Sequence, residues 1–183
     1  GDAITEADHN VAIGYAALST ETLGQRSVAI GRSALEDQNL ATTTQVYNVG
    51  IGYNAGGSIT TGTNNVLVGG LAGDAITDAD FNIAIGGNAL GTNTVGSYSV
   101  AVGHAALLNQ NPATATNMYN VAVGASAGAA VTTATNSTFL GGLAGTSVTT
   151  GGGNTFLGTE SGDATTIGNS NVAVGHKSLT TEV

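Results

Sequence analysis

One motif recurs ten times along this chain, and its spacing constrains the fold more than any other feature. It reads Asn or Ser, then three apolar or small residues, then Gly. Copies begin at Asn10, Ser27, Asn48, Asn65, Asn82, Ser99, Asn120, Ser137, Asn154 and Asn171, at intervals of 17, 21, 17, 17, 17, 21, 17, 17 and 17 residues. The fifth position is Gly in every copy, from Gly14 to Gly175; the eighth is Ala or Ser, and the ninth is only Leu or Gly. A longer period of 72 residues lies above this one: it sets Gln38-Asn39 over Gln110-Asn111 and Tyr47-Asn48 over Tyr119-Asn120. Self-similarity at such a period marks a repeat architecture, in which each unit buries its apolar side only by stacking on its neighbours.

The local pattern selects the kind of repeat. Val11-Ala12-Ile13 and its equivalents are β-formers, preceded by a turn residue and followed by Gly. A helix is a poor fit, because Gly falls in nearly every turn and the apolar period is wrong. Seventeen residues cannot form a domain, but they can form one coil of a solenoid, with coils stacked ~4.8 Å apart. Residues 1–183 are therefore expected to be a single array: an all-β, parallel β-solenoid (β-roll) of about ten coils with 17- and 21-residue repeats. The sixth to ninth positions are expected to begin a second strand. The four extra residues of the long coils, around Thr42 to Gln45 and Thr114 to Asn117, are expected to bulge as a loop. Where the ninth residue is Leu, the next large apolar residue tends to fall at the fourteenth position (Leu23, Val95). Where it is Gly, that residue usually falls at the twelfth (Ile59, Ile76, Val131, Val148), with Gly162 and Ile167 as an exception. This reads as one interior volume filled from alternative places, since cores are close-packed.

Composition removes several function classes. Ala, Gly, Thr and Asn make up 101 of the 183 residues, and there is no Cys, so neither a disulfide scaffold nor a thiolate metal site is expected. No apolar run reaches the ~18 residues of a membrane span. Arg26, Arg32 and Lys177 stand against twelve acidic residues, for a net charge of −9. A phosphate backbone would be repelled, so nucleic acid is not an expected partner.

The second and fourth positions of each motif are Val, Ile or Leu, except Thr138 and Thr155, while the third is never polar: it runs from Ala12 through Leu67 and Phe139 to Ala173. Successive side chains of a strand point to opposite faces. Strands apolar on both faces are usually buried on both. One face can line the coil, with Val11 and Ile13 filling it. The other, carrying Ala12 or Phe139, then needs cover, which a neighbouring chain would supply. A wider single-chain solenoid, or an Ala face left wet, is the alternative. Gly1 falls at the ninth position of a coil and Val183 at the thirteenth, with no polar cap at either end, so the segment reads as a slice of a longer fibre.

Residues that could carry chemistry are few. His104 and His176 share the sixth position but lie 72 residues apart, and His9 stands alone. Symmetry-related His could ring an ion on a fibre axis. Equally, the slot is a solvated one that also holds Tyr15, Arg32, Gly70 and Thr159. Asp2, Glu6 and Asp8 recur as Asp74, Asp78 and Asp80, which suits either calcium or a solvated turn. Gly151-Gly152-Gly153 has no Lys after it and opens no helix, so it reads as a flexible corner and not a phosphate loop. No Ser lies in a nucleophile-elbow pattern. No catalytic residue, cofactor site or metal site is expected, and the receptor-binding residues are unknown from the sequence. The Asn at the first position either stacks into a ladder from coil to coil or merely suits its turn.

Ser27-Val-Ala-Ile-Gly31 and Ser99-Val-Ala-Val-Gly103 resemble the head repeats of YadA-like trimeric autotransporter adhesins. Asn10-Val-Ala-Ile-Gly-Tyr-Ala-Ala-Leu18 and Asn48-Val-Gly-Ile-Gly-Tyr-Asn-Ala-Gly56 are similar to repeats of phage tail fibres and of related proteins with a C-terminal intramolecular chaperone. The resemblance covers nearly the whole chain. It implies a homotrimer of parallel β-rolls displayed on a virion or a bacterial cell surface. The expected function is a non-enzymatic fibre segment that mediates or spaces attachment to a host glycan or protein receptor. Two alternatives remain: an ice-binding solenoid using Thr60-Thr61, Thr132-Thr133, Thr149-Thr150 and Thr165-Thr166, and a purely structural extracellular filament.

Overall fold

The computed structural model describes residues 3–180 and contains strands and turns, with no helix among the described residues. The motif strands Val11–Ile13, Val28–Ile30, Val49–Ile51, Val66–Val68, Ile83–Ile85, Val100–Val102, Val121–Val123, Thr138–Leu140, Thr155–Leu157 and Val172–Val174 form one ten-stranded parallel sheet in sequence order. Each pairs with the next in perfect register, as in Val11↔Val28, Val49↔Val66 and Thr155↔Val172. The chain is a parallel β-solenoid, as the repeat predicts.

The two faces of these strands are assigned the other way round from the sequence expectation. The third position points inward: Ala29, Leu67, Ala84, Phe139 and Phe156 are completely buried. The second and fourth positions face outward, with Ile83, Ile85, Leu140 and Leu157 each between 37% and 43% exposed. So Val and Ile do not fill the coils, and Phe139 is core. The physical reason lies in the partner of the third position. A Cβ built on Gly145 would fall 2.4 Å from the Phe139 ring, and one on Gly162 2.3 Å from the Phe156 ring. The large third-position residue thus occupies the room that Leu takes at the ninth position elsewhere, beside Ala or Gly at the third.

The interior compensation is real but involves different residues from those expected. Leu18, Leu35, Leu90 and Leu107 are fully buried, and the twelfth residue of the same coils is polar and buried: Glu21, Gln38, Asn93 and Gln110. In four of the five Gly coils the twelfth residue is Ile59, Ile76, Val131 or Val148, all fully buried, and in the fifth, with Gly162, it is buried Thr165. Leu23 and Val95 are only half-buried and Ile167 is 67% exposed, so the fourteenth-position residues expected to fill the interior do not; Leu40 and Pro112, at the same position of the two long coils, are buried.

The sixth to ninth positions form a turn instead of a second strand. The seventh and ninth residues are left-handed, as at Ala16 (φ 55°), Leu18 (φ 51°), Asn88 (φ 57°) and Leu90 (φ 52°). An extended run cannot alternate in this way. The turn still bonds from coil to coil, Leu18 N–H donating to the Ala34 carbonyl and Leu90 N–H to that of Ala106, both at 3.0 Å.

The long coils do bulge, but upstream of the expected place. Thr44–Gln45 pairs parallel to Gly24–Gln25, and Thr116–Asn117 to Gly96–Ser97. The exposed loop is Ala41, Thr42 and Thr43 in one coil and Ala113, Thr114 and Ala115 in the other. The fourth extra residue, Val46 or Met118, is fully buried.

The first-position Asn forms a ladder. Asn65 Oδ1 accepts from Asn82 N–H at 3.0 Å, and Asn65 Nδ2 donates to the Ala79 carbonyl at 2.8 Å, closing its own coil. Asn48, Asn82, Asn120 and Asn154 repeat both bonds. Where Ser27 and Ser99 replace Asn, Gln38 and Gln110 reach across the core. Each shares a hydrogen bond with that Ser and accepts one from Asn48 or Asn120. Buried Glu21 accepts from Leu23 N–H, Gly24 N–H, Leu40 N–H and Gln38 Nε2, so both of its side-chain oxygens have hydrogen-bond donors. Asn65→Ala leaves a buried N–H and a buried carbonyl unsatisfied. Chemical denaturation should register a loss of about 2–5 kcal/mol.

Candidate functional site

The residues singled out for chemistry do not converge. His9, His104 and His176 are all exposed, and His104 and His176 stand four coils apart on the stack. The His176 Nδ1 atom lies 3.2 Å from the Thr159 carbonyl oxygen. No group of three His, Asp or Glu side chains comes together among the described residues; Asp2 lies outside them.

The acidic residues act between coils. Asp78 Oδ1 accepts from the hydroxyls of Thr60 and Thr61 at 3.1 and 3.0 Å. Asp80 Oδ1 accepts from Thr63 N–H at 2.7 Å and from its hydroxyl at 3.0 Å. Burial pushes the Asp74 carboxyl above its usual value, while hydrogen bonds from its own backbone and from the Asn54 side chain pull the other way. Lys177 pairs with Glu160 at 3.3 Å, an exposed pair of the kind worth about 0–1 kcal/mol. Gly151 is a place of close approach: a Cβ there would sit 2.1 Å from the Gly168 carbonyl oxygen of the next coil.

The Thr residues form a more continuous column than their sequence neighbours suggest. At the thirteenth position the Thr60, Thr77, Thr132 and Thr149 hydroxyls donate to the carbonyls of Thr77, Thr94, Thr149 and Thr166 respectively. Thr22 and Thr94 donate instead to the side chains of Asn39 and Asn111. These hydroxyls tie coil to coil; of the other Thr residues in the pairs, Thr61 donates to Asp78, Thr165 is buried, and Thr133, Thr150 and Thr166 are exposed.

What the geometry does concentrate is outward apolar surface. The second- and fourth-position side chains run as two parallel columns along the whole ten-strand sheet, ~48 Å at the usual strand spacing. The sixth-position column borders them on one side: Arg32 lies between two rings there, 5.9 Å from the Tyr15 centroid and 5.8 Å from that of Tyr53. On the other side runs the residue immediately before each motif, where Phe81 and Tyr98 stack at 4.9 Å and Tyr98 and Tyr119 meet at 5.4 Å. None of the twelve acidic residues lies in these four columns. The 72-residue period pairs only Tyr47 with Tyr119, so the aromatic column is not visible at that spacing. Aligning the coils on Asn48, Asn82, Ser99 and Asn120 would have set Tyr47, Phe81, Tyr98 and Tyr119 in one line.

Compared with known proteins, this chain matches no family model, no curated protein and no solved structure.

Proposed function

We propose that this chain is a segment of a non-enzymatic fibre, assembled as a homotrimer on a virion or cell surface, that mediates or spaces attachment to a host. The observation that carries the reading is the apolar sheet face. Contiguous exposed apolar surface of this length marks an interaction site. A partner has to match its geometry. The columns repeat once per coil, so a parallel second copy sets equal spacing against equal spacing along the entire sheet, whereas a partner of different repeat falls out of step. Charge supports the same partner. Chains of net charge −9 can meet across the one face from which carboxylates are missing. The number three comes from the resemblance to YadA-like heads and phage fibre repeats. Repeated shallow surfaces suit weak contacts whose avidity accumulates along a fibre.

Sedimentation of the purified chain is expected to give three copies. Ile85→Asp combined with Val102→Asp places carboxylates in the middle of the face without touching the interior. That variant should sediment as a monomer and keep its β circular dichroism, while Thr133→Asp, on an exposed turn away from the sheet, should stay trimeric. A wild-type chain that is monomeric and stable at high dilution would sink the proposal.

A further inference from the structure

The residue before each motif is strained without an interior reason. Its backbone is left-handed throughout: φ is 66° at Arg26, 56° at Tyr47, 59° at Asn64, 57° at Phe81, 60° at Tyr98 and 52° at Tyr119. That region suits Gly and Asn and disfavours bulky residues. The coil does not require bulk here, since later coils carry Asn136, Gly153 and Ser170 at the same position with φ of 58°, 71° and 56°. Leu18, Leu35, Leu90 and Leu107 at the ninth position share the conformation, but they are fully buried and packing offsets the strain; the exposed left-handed leucines, Leu143 and Leu179, stand singly and form no column. Tyr47, Phe81, Tyr98 and Tyr119 are instead between 40% and 52% exposed. Strain kept at exposed side chains points to use.

The six side chains from Arg26 to Tyr119 form one column that climbs a coil at a time. Asn64 N–H donates to the Val46 carbonyl, Phe81 N–H to that of Thr63, and Tyr98 N–H to that of Asp80. Every one of the six ends in a planar group. The Arg26 guanidinium lies 5.8 Å from the Tyr47 ring centroid, and Phe81 and Tyr98 are only 14° from parallel. Six coils make a straight strip of ~24 Å at the usual strand spacing. Arg26 forms no ion pair among the described residues.

We propose that this strip binds a neutral, extended, β-1,4-linked polysaccharide laid parallel to the coil axis. Such a linkage joins pyranose rings into a flat, straight ribbon whose repeat is close to one coil rise, whereas α-1,4-linked chains curl away from a straight wall. The half-open aromatic rings, stacked on one another along the column, offer their outer edges as apolar contact to the sugar C–H groups, and the Tyr98 hydroxyl and the Arg26 guanidinium offer hydrogen bonds at its margin, where the Tyr47 hydroxyl already donates to Gln45 Oε1 and the Asn64 amide to Thr63 Oγ1. The net charge of −9 disfavours an acidic polysaccharide. The inference rests on the attachment-fibre reading and adds the place and class of its ligand. The strip and the subunit face are separable, because the last coils keep the apolar columns and lack the aromatic one.

The test titrates cellohexaose and N-acetylchitohexaose onto the assembled chain by calorimetry, with maltohexaose as the α-linked comparison. The variant is Phe81→Asn, Tyr98→Asn and Tyr119→Asn together, which gives each position the residue already present at Asn64 and Asn136. At least one β-linked hexaose should bind, more tightly than maltohexaose. The variant should lose about tenfold or more in affinity with sedimentation and circular dichroism unchanged. No binding by either β-linked hexaose, equal binding by maltohexaose, or undiminished binding by the variant overturns the proposal. So does dissociation of the variant, which would assign the column to contact between copies. A monomeric wild-type chain that binds a β-linked hexaose would reject the fibre assembly and leave the strip standing.

Discussion

Gly103→Ala is expected to destabilise the chain by about 4 kcal/mol, a fall in melting temperature of roughly 8–16 °C. Two independent costs combine. Gly103 has φ +135°, a region that side chains avoid, and a Cβ there would stand 2.5 Å from the carbonyl oxygen of Gly124 in the next coil. That oxygen is backbone, so no rotamer change relieves the clash; the two coils must part. The same column of glycines runs from Gly14 to Gly158, each with the next coil's glycine carbonyl against the missing Cβ. Gly142, beside Gly141 in sequence, meets nothing within 4 Å, so Gly142→Ala should leave the melting temperature nearly unchanged. Equal shifts in the two variants would show that the close approach of coils is not what demands glycine.

Phe139→Ala is expected to cost about 3–5 kcal/mol, the range for truncating a buried aromatic ring. The ring is fully buried, fills the space beside Gly128 and Gly145, and meets Phe156 with centroids 5.8 Å apart. The interior rule makes a sharper statement. Adding Gly145→Leu to Phe139→Ala rebuilds the Ala-with-Leu pairing of Ala101 and Leu107, and should recover part of the loss. Gly145→Leu alone should be destabilising, because it collides with the ring. Denaturation of the two single variants and the double one checks the sign of the coupling. Additive losses would contradict a shared volume.

The coil count, register and parallel pairing were legible because they depend on spacing, and spacing is fixed by the identical Asn or Ser and Gly of every repeat. The orientation of the strand was not. Alternation says only that Ala12 and Val11 face opposite ways; it does not say which way is in, and both faces are apolar. The signal that decides it was present as covariation: Leu67, Phe139 and Phe156 occur only where the ninth residue is Gly73, Gly145 or Gly162. Glu21, Gln38, Asn93 and Gln110 at the twelfth position resemble surface residues, and only the hydrogen-bond network reveals why they are buried. The left-handed turn was hidden because Leu and Ala are poor markers of positive φ. Among candidate surfaces, the apolar face was inferred as two-sided strands but placed on the wrong side, and the aromatic strip lay just outside the motif.

The two protruding loops, Ala41 to Thr43 and Ala113 to Thr114 and Ala115, emerge from equivalent coils four layers apart, ~19 Å at the usual strand spacing. They hang from a rigid ladder without belonging to it, since the short strands after them restore the register at once. The chain is in effect a graduated ruler with a tether point at each major mark. Foreign peptides spliced at these marks would be held at a fixed pitch along one side, and adding further 72-residue blocks would lengthen the scale without altering the gap between graduations.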